Sequence, residues 1–76
     1  MTATPQDIQN WISQGLENSE VTVDGDGQHF EATIVCPDFE GKSLIQRHKM
    51  VYSALGDKMK SEIHALSMKT LTSAEL

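Results

Sequence analysis

Two alternating runs joined by a short turn constrain this chain more than anything else in it. Glu20-Val21-Thr22-Val23-Asp24 and His29-Phe30-Glu31-Ala32-Thr33-Ile34-Val35-Cys36 are rich in β-branched residues and alternate in polarity, the pattern of half-buried strands. Gly25-Asp26-Gly27-Gln28 between them supplies the turn, so the two strands run antiparallel as a hairpin. Phe30, Ala32 and Ile34 share one face of the second strand. Pro37 has no N–H to give to a ladder and ends it.

Helices flank this hairpin. Thr4-Pro5-Gln6-Asp7 reads as a helix start, with a hydroxyl cap, Pro at the first helical position and an acid in the first turn. Ile8, Trp11, Ile12 and Leu16 follow as one apolar stripe, Trp11 being expected as a core anchor, and Gly15 weakens the helix near its end. Ser43-Leu44-Ile45-Gln46 is a capping-box start. Leu44, His48, Val51 and Leu55 make its stripe, broadened by Ile45, Tyr52 and Met59. Gly56 caps this helix and Asp57 a second short one, Lys58 to Ser61.

The run from Ile63 to Thr70 contains no Gly or Pro and reads as a third strand, His64 to Thr70. Alternation puts His64, Leu66 and Met68 on a core-facing side and Ile63, Ala65, Ser67 and Lys69 on the other. The long helical connection makes strands two and three parallel, with a right-handed crossover. The expected architecture is α+β: a three-stranded mixed sheet with helices packed on one face, in the order αββααβ. His64 falls where a strand emerges from packing toward solvent. Such an imidazole is open to a metal or a partner, or is held by a backbone carbonyl.

At 76 residues the chain forms one domain, residues 1–76, too small to wall in a deep enzyme pocket. The single cysteine, Cys36, excludes an internal disulfide and a cysteine-rich metal cluster. No apolar run approaches the ~20 residues of a membrane span. The start Met1-Thr2-Ala3-Thr4-Pro5 lacks a signal region, so the chain is expected to be cytoplasmic, with no membrane partner. Charge is divided: residues 1–41 carry eight acids and no Lys or Arg, whereas residues 42–76 carry six bases against three acids. The second half can therefore meet an anionic partner, or simply present solvated helix faces, although the net charge is −5.

Two local motifs are decoys. Gly25-Asp26-Gly27-Gln28-His29-Phe30 lacks the third glycine of a dinucleotide fingerprint and precedes a strand. Gly41-Lys42-Ser43 ends like a phosphate-binding loop, but the first glycine of that motif would fall at Cys36. No nucleophile–base constellation is legible, and His48 on an apolar stripe reads as a satisfied core histidine, so the chain is not expected to be an enzyme.

Four separated blocks resemble the BolA-like proteins: Asp24-Gly25-Asp26-Gly27-Gln28-His29-Phe30, the Phe39-Glu40-Gly41 turn, Gln46 to Tyr52, and His64-Ala65-Leu66-Ser67-Met68-Lys69. The Gly-Asp-Gly-x-His-Phe hairpin is closest to the YrbA/IbaG subgroup. The resemblance runs from about residue 6 to residue 74 and implies a class II KH-like (BolA-like) fold.

It also implies a function. BolA-like proteins partner monothiol glutaredoxins of the Cys-Gly-Phe-Ser type and share a bridging 2Fe–2S cluster with them and with glutathione, in iron–sulfur trafficking or iron and stress regulation. No cofactor is expected on the chain alone. The family's most consistent ligand, the histidine opening the third strand, matches His64. The second ligand position carries Cys or His in other members and matches Asp26 here; His29, three residues on, either substitutes for it or serves structurally at the strand start. Carboxylate suits such an iron less well than imidazole. Cys36 lies roughly 25 Å from the hairpin turn at strand rise, too far to take part. The alternative that the family also suggests is a DNA-binding transcriptional regulator using Lys42, Arg47, Lys49, Lys58 and Lys60. The Gly-x-x-Gly clamp of a KH domain is missing, since Gly41-Lys42-Ser43-Leu44 has no second glycine. Arg47 and Lys49 flank the stripe of their helix and are candidates for the partner surface. The expected state is a monomer or weak homodimer.

Overall fold

The computed structural model describes residues 3–61, 63 and 65–76. Helix α1, Pro5–Gly15, opens on the cap expected of it. The Thr4 hydroxyl accepts from Asp7 N–H, and the Asp7 carboxylate accepts from Thr4 N–H, each at 3.1 Å. Strands β1, Glu20–Gly25, and β2, His29–Val35, pair antiparallel, with Val21 opposite Ile34 and Val23 opposite Ala32. A short 3-10 turn, Pro37–Phe39, leads to helix α2, Leu44–Leu55, and the four-residue helix α3, Lys58–Ser61. Strand β3, Ala65–Leu71, then pairs parallel to β2. The sheet order is β1-β2-β3, the mixed sheet read from the sequence.

The core lies between one face of this sheet and the helices. Phe30, Ala32 and Ile34 of β2 and Val21 and Val23 of β1 are buried against Ile8 and Ile12 of α1 and Val51 and Leu55 of α2. On β3 the register partners of Phe30, Ala32 and Ile34 are Leu66, Met68 and Thr70, so those three share the core face. The expected face assignment therefore holds for Leu66 and Met68. It fails for Ile63, which is buried rather than outward. Ile63 donates its N–H to the carbonyl of Lys58 at 3.0 Å, which ties it back onto α3 ahead of β3, where strand alternation does not apply.

Helix α2 departs from its expected stripe. Leu44 is 63% exposed, Ile45 69% and Tyr52 42%. Only Val51 and Leu55 of this helix are fully inside, because the apolar side chains that α2 buries against α1 and the sheet lie in its second half, leaving Leu44 and Ile45 of its first turn in solvent. Trp11 is half-buried at the core margin, not its anchor, and the ammonium of Lys58 sits 5.1 Å from its ring centre.

Gly15 has a packing role that its helix-weakening effect conceals. A Cβ built there would meet the Ala54 Cβ and lie 2.7 Å from the Ala54 Cα, so α1 and α2 cross at backbone contact. Helix propensity alone predicts that Gly15→Ala stabilises, by up to about 1 kcal/mol. Overpacking predicts the opposite sign, a loss of about 1–3 kcal/mol as the two helices are pushed apart. Urea unfolding is expected to show the loss; equal or raised stability would mean that the helices have room between them.

Candidate metal-ligating end of the sheet

The hairpin turn is built by its aspartate. Asp26 Oδ1 accepts from the N–H groups of Gln28 and His29, both at 2.9 Å, while Asp26 N–H donates to the His29 carbonyl at 3.2 Å. Gly27 takes φ +100°, a conformation that L side chains rarely adopt, to let the chain close. The His29 amide, then the Gln28 amide, hold the Asp26 carboxyl below its ordinary value of 3.8. A depressed value means that this bracing is complete above the ordinary range and is lost as pH falls through the folded one.

His29 opens β2, is exposed, and has Ala65, the first residue of β3, as its register partner. The turn carboxylate, the His29 imidazole and the start of β3 thus meet at one end of the sheet. His64, the residue before Ala65, lies outside the described residues. Among the described residues no three His, Cys, Asp or Glu side chains gather closely enough to hold a metal. Asp26 and His29 are brought together as a pair. Cys36 is at the opposite end of β2, is fully buried, and has its thiol 4.0 Å from the Glu17 carbonyl.

The basic segment separates into two kinds of residue. Lys42, Lys49, Lys58 and Lys60 are exposed along and around α2 and α3. Arg47 is not a free cation: its side chain is only 12% exposed and its guanidinium makes four hydrogen bonds. Nη1 and Nη2 donate to Glu75 Oε1 and Oε2 at 2.8 and 3.2 Å, Nη1 also to the Thr70 carbonyl at 3.2 Å, and Nε to the Lys42 carbonyl at 3.1 Å. The ring centre of Phe39 lies 5.8 Å below. Arg47, expected on a partner surface, instead fastens the C-terminal 3-10 turn, Ser73–Glu75, to the body. The sequence did carry a signal for this turn, since Thr72-Ser73-Ala74-Glu75 has capping-box spacing, and Glu75 Oε1 accepts from Thr72 N–H at 2.7 Å. His48, expected to be satisfied, is half-buried, and its Nε2 has no hydrogen-bond partner among the described residues.

The Arg47 guanidinium, then the Thr72 amide, hold the Glu75 carboxyl down at about 2, from an ordinary 4.5. The clamp therefore contributes its full stability above pH 4.5 and loses it between there and about 2. Glu75→Gln is expected to remove most of this acid-side slope from the unfolding midpoint and to lower stability at neutral pH. Wild-type and variant profiles that run parallel from pH 5 to 2 would show that the pair is broken in solution.

The family model described as BolA-like protein matches residues 8–75. The acid stress protein IbaG of Escherichia coli is 37% identical over 70 residues, 91% of this chain and 83% of that protein. The DNA-binding transcriptional regulator BolA of the same species is 35% identical over 51 residues, 67% of this chain and 49% of that protein. The solved structure of a bolA protein homologue from Coxiella burnetii superposes with a TM-score of 0.90 at 52% identity, covering 97% of this chain and 96% of that one. Two further curated relatives are longer, and the chain spans 14% and 47% of their lengths. No helix among the described residues is long and apolar enough to cross a membrane.

Proposed function

This chain belongs to the BolA-like family, and from that premise we propose that it is a non-enzymatic adaptor that shares a 2Fe–2S cluster with a monothiol glutaredoxin of the Cys-Gly-Phe-Ser type and with glutathione. The observation that carries the reading is the meeting of the hairpin turn, His29 and the start of β3 at one open end of the sheet. A domain of this size cannot enclose a cluster, but it can present donors on a rigid margin while a second protein supplies the rest. His64 is the first of those donors. For the second, His29 is the better choice than Asp26. The Asp26 Oδ1 already accepts two backbone N–H groups and its carboxyl is a weakened base, whereas the His29 ring is exposed and imidazole suits the iron better.

The test is anaerobic reconstitution of the purified chain with such a glutaredoxin, glutathione, ferrous iron and sulfide. A heterocomplex with a visible circular-dichroism spectrum distinct from that of the glutaredoxin alone is expected. An unchanged spectrum with the two proteins eluting separately would refute the adaptor role.

A second reading, DNA-binding regulation, is favoured by the name of the BolA relative and by the exposed lysines 42, 49, 58 and 60. Arg47 adds nothing to that surface while Glu75 holds it. The net charge of −5 also opposes phosphate binding. A gel shift that weakens steeply with salt would support this reading, and no shift at low salt would end it.

A further inference from the structure

Strand β3 is a sheet edge, and its hydrogen bonding shows which of its backbone groups have no partner among the described residues. Cys36 N–H donates to the Leu71 carbonyl at 2.9 Å, so Leu71 turns its peptide groups toward β2. Alternation gives Ser67 and Lys69 the same orientation, and turns Leu66, Met68 and Thr70 away from β2. One of those outward groups is occupied, because the Thr70 carbonyl accepts from Arg47 Nη1. Leu66 and Met68 are left, one on each side of Ser67.

We propose that this edge pairs antiparallel with the same edge of a second copy, on a two-fold axis at Ser67, so that Leu66 of each chain faces Met68 of the other. Outward residues must face outward residues. Of the registers built wholly from described residues, those centred on Met68 or Lys69 need the carbonyl that Arg47 holds, and the one centred on Ser67 does not. It makes four inter-chain hydrogen bonds from the Leu66 and Met68 peptides and extends the three-stranded sheet to six strands. The side chains of Leu66 and Met68, half-buried at the edge of the core face, cover one another across the axis. Lys69, the only charge on β3, falls opposite Ala65 of the second copy.

The other edge is defended. Glu20, Asp24 and Asp26 line β1 and its turn, and symmetric pairing there would set carboxylates against carboxylates. The β3 edge carries one charge, Lys69, and this register keeps its two copies apart, two pairs from the axis on either side. Because its pairing is isologous it closes at two chains and does not propagate into a filament.

The register makes a sharp test. Ser67 and its symmetry mate form a non-hydrogen-bonded pair with Cα atoms about 4.5 Å apart, within disulfide reach. The native Cys36 is fully buried and does not compete. Mild oxidation of Ser67→Cys is expected to give a covalent dimer that reductant reverses. Lys69→Cys should cross-link at least about tenfold more slowly, since its own mate lies two pairs beyond the axis on each side. Met68→Pro removes an outward N–H without touching the β2–β3 ladder, and should shift sedimentation toward monomer. Equal cross-linking at positions 67 and 69, or a wild-type chain that sediments as a monomer at millimolar concentration, would overturn the proposal. The cross-linking comparison stands even if the proline variant does not fold.

Discussion

Phe39→Ala is expected to cost about 3–5 kcal/mol, the loss typical of truncating a fully buried ring. The ring is completely buried, at the end of a three-residue turn whose backbone is fixed by Phe39 N–H on the Cys36 carbonyl at 3.1 Å and Lys42 N–H on the Phe39 carbonyl at 3.0 Å. Those bonds keep the chain from collapsing into the space the ring leaves. The ring is also the floor under the Arg47 guanidinium, which in turn holds Glu75 and the Thr70 carbonyl. Typical stability of about 0.05–0.15 kcal/mol per residue gives a domain this small roughly 4–11 kcal/mol in all, so the variant loses at least about a quarter of its stability. Phe39→Leu keeps most of the buried area and should retain well over half of the stability. The double variant Phe39→Ala/Glu75→Gln should lose less than the sum of the two, because the first already loosens what the second removes. Urea denaturation measures all three, and a Phe39→Ala midpoint near that of the wild type would contradict this account of the turn.

That turn shows how far the sequence could be read. Alternation in β1 and β2 and the turn chemistry of residues 25–28 were enough for the hairpin, and its order, pairing and core face agree with the structure. The helix caps at Thr4 and Ser43 were legible because capping is a local signal, one hydroxyl and one carboxylate or amide three residues apart. What failed was whatever depended on packing between distant elements. Leu44 and Ile45 have the spacing of core residues, yet nothing local says that α2 buries its apolar side chains only in its second half. Gly15 reads as a weak helix residue until Ala54 is seen against it. Arg47 looks like surface charge because its partner is 28 residues away.

The site divides along the same line. Asp26 and His29 share one turn, and their proximity follows from the hairpin alone. The meeting of His29 with the start of β3 needs the parallel register, which periodicity implies but does not number. The resemblance to BolA-like proteins, not any spacing, pointed to His64 as a ligand, and His64 lies outside the described residues.

The second large effect is therefore chemical. His64→Ala should abolish the cluster-bearing heterocomplex, because this chain supplies few donors and no neighbouring Cys exists to replace the lost one. His64→Cys should restore a cluster at lower potential, since imidazole ligation raises the potential of such centres relative to thiolate. His29→Ala should give a complex that loses its cluster faster. Asp26→Ala should leave the cluster in place and weaken the hairpin instead, as the carboxylate braces two amides there. If Asp26→Ala and His29→Ala exchanged these outcomes, the aspartate would be the ligand and the turn would have to open to release it.

Pulsed EPR of the reduced heterocomplex asks most directly whether this chain ligates iron. Strong hyperfine coupling from directly bound imidazole nitrogen is predicted in the wild type and in Asp26→Ala, reduced in any cluster that survives in His29→Ala, with no cluster signal at all from His64→Ala. A reduced cluster with no bound nitrogen, or one whose nitrogen coupling survives unchanged in His64→Ala, would contradict it.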